Sequence, residues 1–394
     1  MSKEVVILSA VRTAIGTYGG SLKDIPPSQL ATICVSEAVA RAKIDPHSVE
    51  QLVLGNVIHT EARDMYIARV AALEAGLSQH SSALTLNRLC GSGLQALISA
   101  AQSLMLGDAT VAVAGGAESM SRAGYLAPSM RWGQRMGDAS MIDMMTGVLT
   151  DPFGNGHMGI TAENLAKKYN IDRQQQDQLA LQSHTRAQYA IEQGFFKQQI
   201  VPVALNRRSG PQFFDTDEHL RQNPCLEDFS KLRPVFKKDG LVTAGNASGL
   251  NDGAAALVLM ESQAAEQQGL TALARIVAYG HSGVDPALMG IGPVKAVENA
   301  LQRAGLSLSD MDVIESNEAF AAQACAVSQA LGLDPFKTNP NGGAIALGHP
   351  IGASGAVITV KAIYELQRSG GRYALITMCI GGGQGIALII EAIN

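Results

Sequence analysis

The sequence predicts an α/β protein made of two similar halves, with a large segment inserted into the first half. Three observations lead to this fold class. Short apolar runs alternate with segments of helical periodicity, a glycine-rich pattern recurs far along the chain, and one long internal stretch has a different composition. Strand and helix in alternation are typical of sheets whose faces are covered by helices.

Six apolar runs predict buried strands, and six periodic segments predict helices. The predicted strands are residues 5–8, 52–54, 111–114, 313–314, 373–378 and 386–390. The predicted helices are residues 30–42, 93–106, 161–169, 173–192, 294–304 and 356–366.

The two ends of the chain repeat one pattern. In each, an asparagine ends a strand, a glycine-rich turn leads into a helix, and the next strand ends in paired glycines. Asn317 lies 261 positions after Asn56, Gly352 lies 261 positions after Gly91, and Gly381 lies 266 positions after Gly115, as a short insertion would make it. A nearly constant offset over such a distance indicates an internal duplication, and it predicts a site where the two halves meet.

The stretch from residue 119 to residue 248 is rich in Met, Gln, Asp and Gly, and its strand signals are weak. We predict that it is an insertion that lies over the first half and covers the site, since long insertions are often functional. The predicted organisation is an N-terminal half in two pieces, 1–118 and 249–270, the insertion between them, and a C-terminal half from 271 to 394.

Composition excludes several classes of function. Of the 394 residues, 46% are hydrophobic and 16% are charged, which suits a folded protein with a large interior. The net charge is −5 without a basic tract, so no nucleic-acid partner is expected. The N-terminus lacks the zones of a signal peptide, and no stretch is expected to be long and apolar enough to cross a bilayer. Five scattered cysteines indicate a reducing compartment, and the cytoplasm is the expected location.

Cys90 is the first candidate for chemistry. It precedes Gly91-Ser-Gly93 and a helical stripe of apolar residues, so it lies at the turn into a helix. Unpaired backbone N–H groups and the helix dipole favour a thiolate at such a turn. The plainer interpretation is a small buried cysteine, which is common.

Three further segments carry polar groups at strand ends or in glycine-rich turns. His349 precedes a predicted helix and could accept a thiol proton, although a capping or core histidine would look the same. Cys379 and Gly381 end an apolar strand, where a thiol could move a proton and exposed N–H groups could hold an oxyanion. Asn317 ends another strand and could fix a water molecule, or could be an ordinary turn residue.

Taken together, these segments resemble the signature blocks of the thiolase family. The similar blocks are Asn87-Arg-Leu-Cys90-Gly-Ser-Gly, Thr243-Ala-Gly-Asn-Ala-Ser-Gly-Leu-Asn-Asp-Gly253, Asn317-Glu-Ala-Phe, Gly348-His-Pro-Ile-Gly-Ala-Ser-Gly and Cys379-Ile-Gly-Gly-Gly. They occur in the family's order and span the chain. The resemblance points to the branch of bacterial acetyl-CoA acetyltransferases and broad-range β-ketothiolases, and it implies a layered α-β-α-β-α fold.

The resemblance also implies a role for each residue. Cys90 matches the nucleophile that becomes acylated, and His349 matches the group that activates it. Cys379 matches the acid/base at the α-carbon, and Asn317 matches the residue that holds a water in one oxyanion hole. The N–H groups of Cys90 and Gly381 match the other oxyanion hole.

Coenzyme A and acyl-CoA are the implied substrates, and no tightly bound cofactor and no metal are expected. By resemblance, His157 and Ser248 match positions along the pantetheine arm, and Arg221 matches one near the adenine, where a guanidinium can stack or pair with phosphate. Candidates for the acyl pocket, which could equally be core residues, are Met158, Phe236, Met289 and Phe320. The methionine-rich stretch 120–147 matches the family's tetramer-forming loop, so a homotetramer built as a dimer of dimers is implied.

Three other functions remain open from the residues alone. A ketoacyl synthase or hydroxymethylglutaryl-CoA synthase of the same fold would keep the nucleophilic cysteine but use other partners. A Cys/His hydrolase would not need Cys379. An inert scaffold or zinc-binding protein would have to arrange Cys90, Cys379 and His349 without any close Cys-x-x-Cys pair.

Overall fold

The computed structural model describes residues 3–207 and 210–393. In both halves the first strand is followed by further strands and helices at the apolar runs and periodic segments that the sequence shows. The first half begins with strands and helices in alternation. These are β1 (Val5–Thr13), β2 (Gly16–Thr17), α1 (Pro27–Ala42), β3 (Gln51–Gly55), α2 (Ile67–Glu74), β4 (Ser82–Leu86), α3 (Ser92–Leu106) and β5 (Val111–Ser119).

The segment that follows β5 contains short strands and two long helices. Its elements are β6 (Tyr125–Leu126), β7 (Ile142–Asp143), α4 (Met144–Val148), β8 (Thr150–Asp151), β9 (Gly156–His157), α5 (Met158–Tyr169), α6 (Arg173–Glu192), β10 (Ile200–Val201), β11 (Val203–Arg207), β12 (Gly210–Phe214) and α7 (Leu226–Ser230).

The chain then returns to the first half and continues into the second. The return consists of β13 (Asn251–Glu261) and α8 (Ser262–Gln267). The second half consists of β14 (Ala274–Gly283), α9 (Gly292–Ala304), β15 (Val313–Ser316), α10 (Ala321–Leu331), α11 (Ala344–Leu347), α12 (Ser354–Ser369), β16 (Tyr373–Ile380) and β17 (Gln384–Ala392).

All six predicted strands and all six predicted helices are confirmed. Eleven of the twelve extend beyond the predicted residues, and α6 has the predicted bounds. Three strands on the main path of the large sheet were missed, β4, β13 and β14. β13 and β14 contain glycine, alanine or histidine among their apolar residues, which weakens the strand signal. β4 is a partly exposed edge strand, so it lacks a continuous apolar run.

The first four strands outward from the centre of the sheet follow the same order in both halves, and β4 has no counterpart. It runs β15-β16-β17-β14-β1-β13-β5-β3-β4, with β2 and β10 added at the side. In each half the two inner pairings are antiparallel and the next is parallel. β1 and β14 each carry a bulge at the same place, between Ile7 and Ser9 and between Ile276 and Ala278. This symmetry supports the duplication that the repeat predicts.

Helices cover both faces of the strands and also separate the two halves. α1 packs on the outer side of β1 and β13, and α9 packs on the outer side of β14 and β17. Between them, α3 packs on β3 and β5, α12 packs on β15 and β16, and the two helices contact each other. The layered α-β-α-β-α fold is therefore confirmed.

The prediction that no stretch is long and apolar enough to cross a bilayer was wrong for α3, a helix of the middle layer. The 18-residue window Leu89–Leu106, which includes α3, has a mean hydropathy of 1.3 and passes as a membrane span by length and composition alone. Within the described part of the chain it is the one segment that passes. Because α3 lies between two groups of strands, it is apolar on several sides, as expected for a core helix, and 56% of the window is buried.

The helices of the inserted segment pack on the second half. α5 contacts α10 and the turn Pro286–Ile291, and α6 contacts α10 and α11. The apolar stripe of α5, which includes Leu165 and Ala162, joins a cluster with Met289. Ala187 and Ala190 of α6 and the region around β10 and β11 join the main core, which includes the first half. The expectation that the insertion lies over the first half was therefore wrong for its helices.

Candidate active site

Cys90 lies in a strained turn between β4 and α3, as the sequence predicts. The preceding residue, Leu89, has a φ of 48°, in the left-handed region that leucine rarely adopts. Ser92 holds the turn: its hydroxyl accepts from the Arg88 N–H at 2.8 Å and donates to the Leu89 carbonyl at 2.7 Å. The N–H groups that reach the Cys90 sulfur are those of Cys90 itself and Gly381, since Gly91 and Ser92 donate to the carbonyl groups of Arg88 and Leu89.

His349 lies in the turn that precedes α12. Its backbone N–H donates to Asn251 Oδ1 at 2.9 Å, which fixes the turn to the start of β13. Its Nδ1 lies 2.6 Å from Ser354 Oγ, and its Nε2 lies 3.5 Å from Asn317 Nδ2. The imidazole is buried and is held from both ring nitrogens.

Two glycines bring these turns together. A Cβ on Gly93 would lie 2.8 Å from the Ala356 nitrogen, and a Cβ on Gly355 would lie 2.3 Å from the Leu94 nitrogen. Any side chain at either position would force α3 and α12 apart. The close approach places Cys90 and His349, from opposite ends of the chain, on the wall of one cavity.

Gly381 and Cys379 approach the same place from the end of β16. The Gly381 N–H is directed at the Cys90 sulfur, and Gly381 also lines the cavity. Cys379 is fully buried and does not line the cavity. Instead it packs with Met158 and Phe320, which do line it. Burial raises the pKa of the Cys379 thiol, and the nearby Cys90 adds to the rise.

Asn317 follows β15 and lies beside His349. Asn339 holds this loop, because its side chain accepts from the Ser316 N–H at 2.9 Å and donates to the Ser316 carbonyl at 2.8 Å. Asn317 Oδ1 is buried and has no hydrogen-bond partner within the described chain. A buried acceptor of this kind is suited to bind a water molecule or a polar group of a ligand.

The two cysteines and the histidine are neutral at pH 7. Burial raises the pKa of the Cys90 thiol to about 11, although the N–H groups of Gly381 and Cys90 oppose the rise. Burial also raises the pKa of Cys379, and it lowers the pKa of His349 to about 4. The expectation that the helix terminus favours a resting thiolate at Cys90 was therefore wrong, because desolvation outweighs the backbone N–H groups.

The cavity has a volume of about 470 Å³ and is mainly apolar. All four predicted pocket residues, Met158, Phe236, Met289 and Phe320, line it, and so do His157 and Ser248. The His157 ring stacks on Phe236 with centroids 4.6 Å apart. Gly159 makes room for this stack, since a Cβ there would lie 2.2 Å from the Phe236 ring.

Arg221 does not line this cavity. Its side chain is exposed and its guanidinium lies 5.6 Å from the Phe229 ring centroid. Its backbone N–H donates to Nδ1 of the buried His184 at 3.2 Å. Arg221 is thus the one predicted site residue that lies apart from the others.

Sequence reasoning missed several residues of the site. Some lie inside or next to the quoted blocks and could have been found there: Leu89, Thr243, Gly249, Leu250, Ala319, Ile351 and Ser354. Met120, Val148, Leu149 and Val235 carry no signal beyond being apolar. Glu118 was also missed, although a glutamate inside a buried strand is itself unusual.

Glu118 joins the two halves beside the cavity. Its carboxyl group accepts from the N–H groups of Val57 and Ile58, each at 3.1 Å, and from the Gly352 N–H at 2.9 Å. The Asn56 amide donates to it at 3.3 Å. Burial raises the pKa of Glu118 to about 8, and the N–H groups oppose the rise. Across the described residues, no group of three or more His, Cys, Asp or Glu side chains is arranged to hold a metal.

Solved structures of similar chains share this fold throughout. The acetyl-CoA acetyltransferase of Bacillus anthracis superposes with a TM-score of 0.97 at 48% identity, covering 100% of this chain and 99% of the other. Human mitochondrial 3-ketoacyl-CoA thiolase in complex with CoA superposes with a TM-score of 0.96 at 46% identity, covering 100% and 98%.

Similarity in sequence is equally extensive. The β-ketothiolase BktB of Cupriavidus necator is 64% identical over 394 residues, covering 100% of both chains. An acetyl-CoA acetyltransferase of Syntrophomonas wolfei is 48% identical, again covering 100% of both. The thiolase N-terminal domain matches residues 5–263 and the thiolase C-terminal domain matches residues 270–392. Because these two domain families together account for nearly the whole chain, the chain belongs to the thiolase family.

Proposed function

We propose that this protein is an acetyl-CoA C-acyltransferase, which cleaves 3-ketoacyl-CoA with CoA and runs the reverse Claisen condensation. The observation that carries the proposal is the meeting of Cys90, His349 and Gly381 on one apolar cavity, with Cys379 and Asn317 directly beside it. The names of the similar proteins, which are acetyl-CoA acetyltransferases and 3-ketoacyl-CoA thiolases, support the same reaction.

In the cleavage direction, Cys90 attacks the 3-keto carbon of the substrate. Since both groups are neutral at rest, the Cys90 proton passes to His349 as the sulfur–carbon bond forms. The N–H groups of Cys90 and Gly381 are the proposed donors to the oxyanion of the Cys90 acyl adduct. The bond between C2 and C3 then breaks, which leaves the acyl group on Cys90 and the enolate of acetyl-CoA.

Cys379 supplies the proton that converts this enolate to acetyl-CoA. Asn317 and His349 hold the enolate oxygen, directly or through a water on the unpartnered Asn317 Oδ1. A second CoA thiol then attacks the acyl-Cys90 thioester and gives its proton to the Cys379 thiolate, while Cys90 leaves and takes its proton back from His349. In the condensation direction burial keeps the Cys379 thiol protonated in the free enzyme. It gives this proton to the CoA thiolate that leaves when Cys90 is acetylated, and the resulting Cys379 thiolate removes the α-proton of the second acetyl-CoA.

Coenzyme A reaches Cys90 through the mouth of the cavity. His157 and Ser248 line that cavity, which supports their assignment to the pantetheine arm. Arg221, exposed outside the cavity walls, is assigned to the adenine end. Residues 119–248 contribute His157, Met158 and Phe236 to the wall, so we assign this segment to covering the site. The apolar side chains of Met158, Phe236, Met289 and Phe320 are assigned to the acyl group.

We further assign the protein to a cytoplasmic homotetramer. The methionine-rich stretch 120–147 exposes Met130, Trp132, Met136 and Met141, each with more than half of its surface accessible. Exposed apolar side chains that cluster in one segment are typical of interaction sites. This supports the stretch as the contact between two dimers.

A thiolysis assay tests the proposal. Purified protein is given 3-ketoacyl-CoA substrates of increasing chain length with and without free CoA, and the products are identified by mass spectrometry. We expect CoA-dependent cleavage of acetoacetyl-CoA to two acetyl-CoA molecules, without release of carbon dioxide. Release of free acid would indicate a hydrolase, decarboxylation would indicate a ketoacyl synthase, and either result would overturn the proposal.

A further inference from the structure

Ser354 stands at the first position of α12 and contacts His349 from behind, away from the cavity. Its side chain is buried, and its Oγ has two polar neighbours. The Pro350 carbonyl oxygen lies 2.8 Å away and His349 Nδ1 lies 2.6 Å away. How the hydrogen atoms are shared among these three atoms decides which nitrogen of the imidazole is free.

A serine hydroxyl has one hydrogen to donate. If Ser354 donated it to His349 Nδ1, the hydroxyl oxygen and the Pro350 carbonyl would be two acceptors 2.8 Å apart with no hydrogen between them. If Ser354 donates to Pro350, its lone pair accepts the Nδ1–H of His349, and all three groups are satisfied. The second arrangement is the one that leaves no buried repulsion.

The other side of the ring agrees with this arrangement. His349 Nε2 faces the side-chain amide of Asn317, whose Nδ2 can only donate. A lone pair on Nε2 complements that donor, whereas a hydrogen on Nε2 would oppose it. Burial keeps the ring neutral near pH 7, so exactly one nitrogen carries the hydrogen.

We propose that Ser354 is a positioning residue that keeps the hydrogen of neutral His349 on Nδ1 and so leaves Nε2 free to accept the Cys90 proton. When the Cys90 proton moves to Nε2, the imidazolium still donates from Nδ1 to Ser354, so the hydrogen bond behind the ring is kept and only the 3.5 Å contact with the Asn317 amide is given up. The catalytic consequence rests on the proposed function, but the position of the hydrogen rests on the contacts of Ser354 and Asn317 and on the burial of the ring.

Because Ser354 is neutral, it orients the ring without stabilising the imidazolium as strongly as a carboxylate would. The acquired proton is therefore returned readily to the leaving thiol. Threonine can replace serine in this role, since threonines of this chain make the same bond to the carbonyl four residues back. Thr359 Oγ1 donates to the Gly355 carbonyl at 2.7 Å, and Thr32 Oγ1 donates to the Ser28 carbonyl at 2.9 Å.

Nitrogen-15 NMR of histidine-labelled protein tests the proposal, with His349 assigned by comparison with His349→Asn. In the unaltered protein near pH 7 we expect a pyridine-type shift for Nε2 and a pyrrole-type shift for Nδ1. The reverse pattern would overturn the proposal without any variant, and it would leave the proposed acyl-transfer activity untouched.

Variants supply the second test. In Ser354→Ala we expect the hydrogen to redistribute toward Nε2, Cys90 acylation by acetyl-CoA to slow by at least about tenfold, and KM to change by less than about twofold, as for a misoriented catalytic histidine. Ser354→Thr restores the Nδ1 hydrogen and most of the rate. Thr359→Val, which removes a buried hydroxyl with the same helix bond, is the matched control.

Two outcomes would contradict the proposed role of Ser354 in orienting His349. An unchanged tautomer or acylation rate in a folded Ser354→Ala protein would show that the hydroxyl does not orient the ring. An equal loss in Thr359→Val would show that the effect is a general disturbance of α12. If Ser354→Ala fails to fold, the spectrum of the unaltered protein and of Ser354→Thr decides.

Discussion

The ends of β5 and β16 occupy equivalent places in the two halves, yet they carry different chemistry. Glu118 lies two residues beyond the position of β5 that pairs with the last residue of β3, and Cys379 lies two residues beyond the position of β16 that pairs with the last residue of β15. Each is paired with a glycine on the neighbouring antiparallel strand, Gly253 and Gly385. The duplication therefore aligns a carboxyl group with a thiol.

The surroundings of the two residues explain the difference. Glu118 is saturated by donors, three from backbone N–H groups and one from Asn56, so its carboxyl group holds loops together. Cys379 lies in an apolar cluster next to the cavity that contains Cys90. The two halves thus share one arrangement of strands but differ in chemistry. The end of β5 carries a structural carboxyl group, and the end of β16 carries the thiol that we propose for proton transfer.

The asparagines that end the preceding strands differ in the same way. Asn56 Nδ2 donates to the Ala117 carbonyl at 2.9 Å and so belongs to the scaffold of the first half. Asn317 Nδ2 instead faces His349. The comparison predicts that changes at equivalent positions damage folding in one half and chemistry in the other.

Removing the nucleophile gives the largest expected effect. Cys90→Ala should lower thiolysis by about 10⁴-fold or more, because no acyl-enzyme can form. Intact-protein mass spectrometry after incubation with acetyl-CoA checks this directly, with Cys225→Ser, an exposed cysteine, as the control that still becomes acylated. An acetylated Cys90→Ala protein would contradict the assignment of the nucleophile.

Glu118→Ala tests whether Glu118 stabilises the fold more than Cys379 does. It leaves the buried N–H groups of Val57, Ile58 and Gly352 without their acceptor, and each unsatisfied group costs about 1–3 kcal/mol. We expect the free energy of unfolding to fall by several times the change seen for Cys379→Ala, measured by urea denaturation. Equal destabilisation at the two positions would remove the distinction between them.

The smallest expected effect is the dependence of Cys90 reactivity on pH. Since burial raises its pKa from 9.0 to about 11, little thiolate is present at pH 7 and the fraction increases as pH rises toward 11. The alkylation rate of Cys90 by iodoacetamide in the free enzyme, followed by peptide mass spectrometry in a Cys225→Ser background, should rise steadily from pH 7 to pH 10. A plateau already reached at pH 8 would mean that the helix terminus outweighs desolvation after all.

Much of the fold could be predicted from the sequence because its strands are continuous apolar runs and its helices are strongly periodic. The duplication was also visible, since the asparagine and the glycine-rich turns repeat with one offset. β13 and β14 were missed because their positions in the sheet, and not their composition, make them strands. The packing of α5 and α6 on the second half depends on contacts between distant residues, which periodicity does not encode.

The site, like the fold, could be predicted only in part from sequence patterns. Cys90, His349 and Gly381 could be placed together from their blocks, and the structure does bring them to one cavity. The protonation of Cys90 was predicted wrongly, because a turn into a helix is visible in a sequence whereas the degree of desolvation is not. Ser354 stood inside a quoted block, but its contact with His349 Nδ1 has no sequence signal.

The most direct measurement separates the work of the two sulfurs in one protein. Cys379→Ala is incubated with acetyl-CoA, acetyl-Cys90 is quantified by mass spectrometry, and acetoacetyl-CoA formation is followed in the same sample. We expect Cys90 to be acetylated to nearly the normal level while condensation falls by about 10²-fold or more, because no group moves the α-proton. Normal condensation in this variant, or failure to acetylate Cys90 in a folded protein, would contradict the division of labour between Cys90 and Cys379.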